Sequence, residues 1–346
     1  MPPRPDHLTE LEKGAHFTPV SVALVGLEGH ASYVLAGVKE TAGIHLVGAA
    51  VLGEQAEAFT AEHHVPVYES IGALLEHCSV DVVAVCLVPN RHGATVLEAL
   101  RAGKHVITDK PLVTDAEMFA RVVDESARHP ELEIGMLLAL RGNPRYRAVR
   151  QIIQSGAIGT PALAYAKRAA QLRRATRARW YFDRRLSGGL MPDLAIHDAD
   201  YLTWATGLRY QQVSAHEVNV GNRDDQYMDD AGAALFQMET GIPALIEYHR
   251  LLQAPFGKMD CRVKIVGTRG QVEMAADGPV TVITETERTT VRDIPPAQNV
   301  FVDFAEAVVA GRRPIVATSD TFHAMAAALA AGQSARDGRT VTIARF

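Results

Sequence analysis

The sequence predicts a two-domain α/β protein: a doubly wound parallel sheet, then an α+β half built on a large, mostly antiparallel, open-faced sheet. Three observations predict it. At 346 residues the chain exceeds one ordinary core. Its first 140 residues alternate short apolar, β-branched runs with helical patterns, the rhythm of parallel strands and right-handed crossovers. Its second half carries a train of strand-like runs separated by Gly-Asn, Thr-Gly and Asp-Gly turns. The expected division is a flexible tail over 1–17, a first domain over 18–140 and a second over 141–346.

Val20 to Gly26 reads as the first buried strand, Ala31 to Thr41 as a helix and Ile44 to Val51 as a second strand. Helices follow at Glu54–His63 and Ile71–His77, then a buried strand at Val80–Leu87. A helix at Gly93–Ala102 stops at Gly103, and His105–Thr108 is a strand. Asp115–His129 reads as a helix and Leu132–Leu138 as a strand. In the second half, Tyr146–Ser155 is an amphipathic helix and Ala162–Arg168 a strand. A helix over 190–206 precedes strands at Gln211–Val220, Gly232–Met238, Ala244–Tyr248, Cys261–Gly267, Gln271–Met274 and Val280–Thr284. Helices at Asn299–Val309 and Thr321–Ala335 and a short strand at Thr340–Ile343 close the chain.

Composition narrows the class of function. Hydrophobic residues are 47% and charged residues 22%, as in a soluble globular protein. A net charge of −5 gives no reason to expect nucleic acid. No run reaches the length of a membrane span, and Met1–His16 lacks the apolar region of a signal peptide. Cys78, Cys86 and Cys261 form neither a disulfide framework nor a metal-ligand spacing, which suits a reducing cytoplasm.

Three strand ends carry polar groups on the edge where ligands of doubly wound sheets bind. After the first strand, Gly26-Leu27-Glu28-Gly29-His30-Ala31 reads as a dinucleotide fingerprint G-x-G-x-x-G/A with Glu28 at the middle glycine. At the end of the second strand Val51 stands where a ribose-binding acid is expected. Leu87 to His92 and Thr108-Asp109-Lys110-Pro111 end the next two central strands. Lys110 there is either a donor to a substrate hydroxyl or a surface lysine.

The stretch Leu186 to Asp200 is the strongest candidate for chemistry. Ser187, Gly188 and Gly189 read as a turn, and Pro192 suits the first turn of a helix. Asp193 falls near the helix N-terminus with His197 one turn on, so the carboxylate is expected to orient the imidazole and raise its pKa. Read blandly, Asp193 complements the dipole and His197 is a satisfied core residue. No third ligand accompanies them at a metal-binding spacing, and no metal is expected. The basic segment Arg173–Arg179, leading to Trp180 and Tyr181, is either a solvated loop or subunit contact, or a rim for an anionic or polyhydroxylated ligand.

In this order the motifs resemble the Gfo/Idh/MocA oxidoreductases, from about Val20 to the C-terminus. Ala102-Gly103-Lys104-His105-Val106-Ile107-Thr108-Asp109-Lys110-Pro111 is similar to the family's A-G-K-H-V-x-x-E-K-P. Arg141 to Pro144 is similar to R-x-x-P, Ser155 to Gly159 to S-G-x-I-G, and Gly188 to His197 to G-G-x-x-x-D-x-x-x-H. The resemblance implies a Rossmann domain, a C-terminal sheet that mediates dimers or tetramers, and hydride transfer between NAD(P) and a sugar, sugar acid or inositol-like polyol. NAD is slightly preferred, since no basic residue at Val51–Leu52 recruits a 2′-phosphate. It implies Lys110, Asp193 and His197 as catalytic residues, with Lys110 orienting substrate and nicotinamide, and His197 as acid/base paired with Asp193. The cofactor would meet Gly26, Leu27, Glu28, Gly29, His30, Ala31, Leu87, Asn90, His92, Asp109 and Lys110. The substrate would meet Arg141, Arg168, Tyr181, Asp193 and His197, with Arg177 and Arg179 completing the rim. A redox-neutral glycosidase or lyase with tightly held NAD, and a non-catalytic ligand-binding protein with a degraded nucleotide site, are the alternatives.

Overall fold

The computed structural model describes residues 18–51, 53–253 and 259–346, so the expected tail and Leu52 lie outside the described residues. The first half forms a six-stranded sheet from β1 (Val20–Val25), β2 (Ile44–Ala50), β3 (Val67–Tyr68), β4 (Val82–Val85), β5 (His105–Thr108) and β6 (Ile134–Met136). Its order is β3-β2-β1-β4-β5-β6 with every pairing parallel. The order reverses between β1 and β4, which opens a crevice beyond their carboxyl ends.

Side-chain alternation along β1 explains its burial on both faces. Val22 and Leu24 face Val34, Phe59, Phe301 and Phe304, whereas Ala23 and Val25 join the layer of Val83, Val85, Leu97 and Leu100. The aromatic filling comes from the helix Val300–Val309, near the end of the chain, which crosses back to close this face. Its N-terminus is held there by a hydrogen bond from the Val300 amide to the Tyr33 hydroxyl, 2.8 Å.

The second sheet has nine strands: β7 (Pro161–Ala170), β8 (Tyr210–Val218), β9 (Ala231–Met238), β10 (Pro243–His249), β11 (Met259–Gly267), β12 (Gly270–Met274), β13 (Val280–Thr284), β14 (Arg288–Thr290) and β15 (Val341–Thr342). The order is β14-β13-β12-β11-β7-β10-β9-β8-β15, antiparallel except where β7 meets β10. The helices Pro144–Gln154, Ile196–Thr206 and Thr318–Asp337 pack with the face that includes Ala164, Ala166, Phe236 and Ile246. Leu163, Leu235 and Leu245, on the other face, are 40 to 52% exposed.

Several elements depart from expectation for local reasons. β3 and β14 are extra strands, each too short to show an alternating pattern. The strand expected over Leu132–Leu138 is regular only at Ile134–Met136, because the chain then winds into a 3₁₀ turn at Ala139–Gly142. The helix expected over 190–206 begins as one π turn, Met191–Ala195, before Ile196–Thr206 continues as α-helix. Widened turns of this kind appear mostly inside α-helices and often at functional sites.

Candidate functional site

Three loops at the carboxyl ends of β1, β4 and β5 converge on one cavity of about 440 Å³. Glu28, Gly29 and His30 wall it from the first loop, Leu87 and Pro89 from the second, and Asp109 and Lys110 from the third. The opposite wall belongs to the second half: Arg173, Thr176, Arg177, Ala178, Trp180, Tyr181 and Asp193.

The glycine turn is shaped by its neighbours. Gly26 has φ +83°, and a Cβ there would sit 2.3 Å from the Cys86 carbonyl oxygen. Gly29 has φ +55°, and its Cβ would fall 1.7 Å from Oδ2 of Asp109. The close approach lets Asp109 tie the turn down: its carboxylate accepts from the His30 amide at 3.0 Å, from His30 Nδ1 at 2.6 Å and from the Lys110 amide at 2.7 Å. These contacts outweigh burial and hold the Asp109 carboxyl down at about 2.

The turn fits a pyrophosphate. The helix Ala31–Glu40 starts without a side-chain cap, and among the described residues the amides of Leu27, Gly29 and Ser32 donate no hydrogen bond. Free amides at a helix N-terminus beyond a parallel strand favour an anion. Glu28 does not spoil the turn, because its carboxylate accepts from the Trp180 indole, Nε1 to Oε2 3.2 Å. At the ribose end Val51 is buried and offers no acid.

On the other side of the cavity Asp193 is the hub. Lys110 Nζ donates to its Oδ1 at 2.6 Å and to its backbone carbonyl at 2.7 Å. Its Oδ2 accepts from the Tyr181 hydroxyl and from Arg250, and Arg250 also reaches the Tyr181 oxygen. Arg177 lies 3.9 Å from the Tyr181 ring centre and Arg250 4.8 Å from it, bracketing the phenol with two cations. The π turn that presents Asp193 is fastened from β8, where Glu217 accepts from the Met191 amide at 3.2 Å and from the Tyr248 hydroxyl at 3.0 Å. Burial pushes the Glu217 carboxyl up to about 7.

The expected Asp193–His197 pair is corrected by this geometry. Asp193 is committed to Lys110, Tyr181 and Arg250, and His197 Nδ1 is enclosed with no hydrogen-bond partner among the described residues. Burial, followed by the charges of Arg168, Lys110 and His30, drives the His197 pKa well below its ordinary value, not above it. His197 is not on the cavity wall; it stands edge-on to His30, ring centres 6.2 Å apart.

Five other expected contacts are corrected too. Arg141 is 1% exposed and ion-paired with Asp200 at 2.5 Å and Asp320 at 3.2 Å, so it is no part of the rim. Arg168 is buried in a two-point pair with Asp198 and acts on His197 only through its charge. His92 is buried, its ring nitrogens against the carbonyls of Pro111 and Leu87 at 2.7 and 2.8 Å, where it links the β4 and β5 loops. Asn90 and Arg179 are exposed and absent from the cavity wall. Arg250 and Glu217 are site residues that sequence reasoning missed, because neither lies in a motif; each comes at or near a strand end only once β10 and β8 are placed.

Comparison with known proteins adds to this geometry. Residues 20–133 match the oxidoreductase family model with NAD-binding Rossmann fold, and residues 146–273 match the GFO/IDH/MocA C-terminal domain. The chain belongs to the Gfo/Idh/MocA family. This Gfo/Idh/MocA protein is 26% identical over 280 residues to scyllo-inositol 2-dehydrogenase (NAD(+)) of Bacillus subtilis, covering 78% of this chain and 80% of the relative. It is 27% identical over 250 residues to inositol 2-dehydrogenase 2 of Saccharopolyspora erythraea, covering 70% and 68%. The fold is shared with aldose-aldose oxidoreductase of Caulobacter crescentus, at a TM-score of 0.81, 19% identity and coverage of 94% and 100%. It is shared as well with myo-inositol 2-dehydrogenase of Lactobacillus plantarum, at a TM-score of 0.78, 23% identity and coverage of 94% and 100%. The protein is an NAD(P)-binding oxidoreductase of this family. No helix among the described residues is long and apolar enough to cross a membrane.

Proposed function

We propose that this oxidoreductase transfers hydride reversibly between NAD and a hydroxyl-bearing carbon of a sugar, sugar acid or inositol-like polyol. The observation that carries the reading is the state of Lys110. Its ammonium has three N–H donors, two of which are taken by Asp193, and the group sits on the wall shared by the dinucleotide turn and the second half. The third is left for a substrate oxygen. When bound, the nicotinamide supplies the hydride chemistry. The free amides of Leu27, Gly29 and Ser32 would hold its pyrophosphate. Lys110 orients the reacting oxygen and holds or releases its proton, and Asp193 fixes the ammonium in place. His197, neutral and beside His30, is in the form that accepts a proton. Tyr181, Trp180 and Arg177 supply the aromatic and cationic wall that a polyhydroxylated ring needs. The names of the inositol dehydrogenase relatives support that substrate class. The Leu163, Leu235 and Leu245 face supports self-association through the second sheet.

The test is calorimetric titration with NAD, NADH, NADP and NADPH, followed by a screen of inositols, aldoses and uronates for formation of reduced nicotinamide. Binding of the NAD pair in the micromolar range and sustained NADH formation are expected. Lys110→Met should lower kcat by about 100-fold or more with nucleotide affinity kept. No nucleotide binding, or full activity in that variant, overturns the reading.

A further inference from the structure

The second half of the chain leaves positive charge on the cavity wall that the wall's own acids do not neutralise. Within the basic segment, Arg174 is paired with Asp225 and Arg179 lies off the wall, whereas Arg173 and Arg177 stand on it. Arg177 is half-buried. Its Nε donates to the Leu172 carbonyl at 2.7 Å and its guanidinium lies over the Tyr181 ring, but neither terminal nitrogen has a partner among the described residues. Arg173 is exposed and has no ion-pair partner among the described residues. The three acids of the wall are already engaged. Glu28 accepts from the Trp180 indole, Asp109 from His30 and the Lys110 amide, and Asp193 from Lys110, Tyr181 and Arg250. Asp193 thus answers two cations before Arg177 is counted. Burial lowers the Arg177 pKa, opposed by Asp193 and reinforced by Arg173, as befits a guanidinium short of counter-charge. A cation half withdrawn from water without a partner carries a cost that an incoming anion removes. With Nε taken, Arg177 offers its two terminal nitrogens end-on, the fork that matches both oxygens of a carboxylate.

We propose that Arg177, with Arg173 beside it at the rim, binds a carboxylate of the substrate, so that the enzyme acts on a sugar acid in preference to a neutral sugar or inositol. The inference rests on the dehydrogenase reading above and narrows its substrate class. The other anion expected in the cavity is the pyrophosphate, and the free amides of Leu27, Gly29 and Ser32 serve it from the first half. Arg177 belongs to the opposite wall. It lies against Tyr181, whose hydroxyl donates to Asp193, and Asp193 in turn holds Lys110. A carboxylate on Arg177 therefore meets the same group of side chains that holds the reacting oxygen. Trp180 and Tyr181 present their rings to a neutral sugar as readily as to its acid, so discrimination falls to Arg177. A neutral ligand leaves that guanidinium unpaired, and an acid gives it the counter-charge that Asp193 cannot.

The experiment measures NADH formation with two pairs of probes that differ at one carbon, D-glucuronate against D-glucose and D-galacturonate against D-galactose. Wild type is expected to favour the acid of at least one pair by about 30-fold or more in kcat/KM. Arg177→Gln should cut that ratio by about tenfold or more, chiefly through KM for the acid, and Arg173→Gln, at an exposed position, by about threefold. A wild-type ratio below about threefold in both pairs, or a ratio unchanged in Arg177→Gln, overturns the proposal. A second arm needs no turnover. Calorimetry on the NADH-loaded protein should show the acids binding about tenfold or more tightly than the neutral sugars in wild type and equally in Arg177→Gln. Acids that bind wild type no better than the neutral sugars overturn the proposal as well. If Arg177→Gln weakens NAD binding and leaves the preference for acids intact, the pyrophosphate is the anion that Arg177 meets, and the carboxylate assignment falls. NADH formed from neutral sugars or myo-inositol alone would sink this inference and leave the dehydrogenase reading standing. If the acids bind through Arg177 and no probe yields NADH, the dehydrogenase reading is what has failed.

Discussion

At the residue scale, the site turns on which groups each carboxylate has already engaged. Lys110 and Asp193 were legible because each follows a recognisable boundary, the end of β5 and the start of a helix. The pairing between them was not, because 83 residues separate Asp193 from Lys110 whereas His197 lies one turn away in sequence. Arg141 misled for a related reason. An arginine in a motif reads the same whether it meets a ligand or, as here, two carboxylates drawn from helices far along the chain. Gly29 offers a sharp test at this scale. An added methyl would collide with the Asp109 carboxylate and sit in a backbone conformation with φ +55°, so the turn must shift. Gly29→Ala is expected to weaken NAD binding at least tenfold by calorimetry; unchanged affinity would show that the turn does not cradle the nucleotide.

At the element scale, the central strands announced themselves through runs such as Val82 to Val85, buried on both faces and free of polar residues. The π turn at Met191–Ala195 left no such trace. It is imposed by tertiary contacts, the Glu217 carboxylate on the Met191 amide and the commitments of Asp193, and a 3.6-residue periodicity cannot report them. Glu217 makes this element sensitive to pH. Its folded-state value, about 7, lies above the ordinary 4.5, so the folded protein holds a proton that the unfolded chain has released. Stability from this group is therefore full below the lower value and declines as pH rises from about 4.5 to 7. Between pH 5 and 8 the melting temperature of wild type should fall by a few degrees relative to that of Glu217→Gln, which shares the buried histidines but not this carboxyl. An equal slope in both proteins would remove Glu217 as its cause.

At the scale of the whole molecule, the two sheets were readable in outline, whereas the joinery between them was not. Arg141 illustrates the joinery: from the 3₁₀ turn after β6 it binds Asp200 on one helix, and Asp320 and the Ile315 carbonyl near another. Removing one member of a buried ion cluster leaves the others charged and unpaired, which costs about 3 to 5 kcal/mol. Arg141→Met is expected to unfold at markedly lower denaturant while the protein that remains folded keeps its NAD affinity; a loss of affinity with stability intact would return Arg141 to the site. The helix Val300–Val309 has a different kind of consequence. Phe301 and Phe304 complete one face of the first sheet, yet they lie near the far end of the chain. A ribosome works from the N-terminus, so the six-stranded sheet emerges with that face covered in part, by residues such as Val34 and Phe59, and lacks its aromatic filling until the helix Val300–Val309 has been made. The nascent chain thus offers a chaperone a greasy, half-built surface over that interval, and a message truncated before that helix encodes a product that leaves it open.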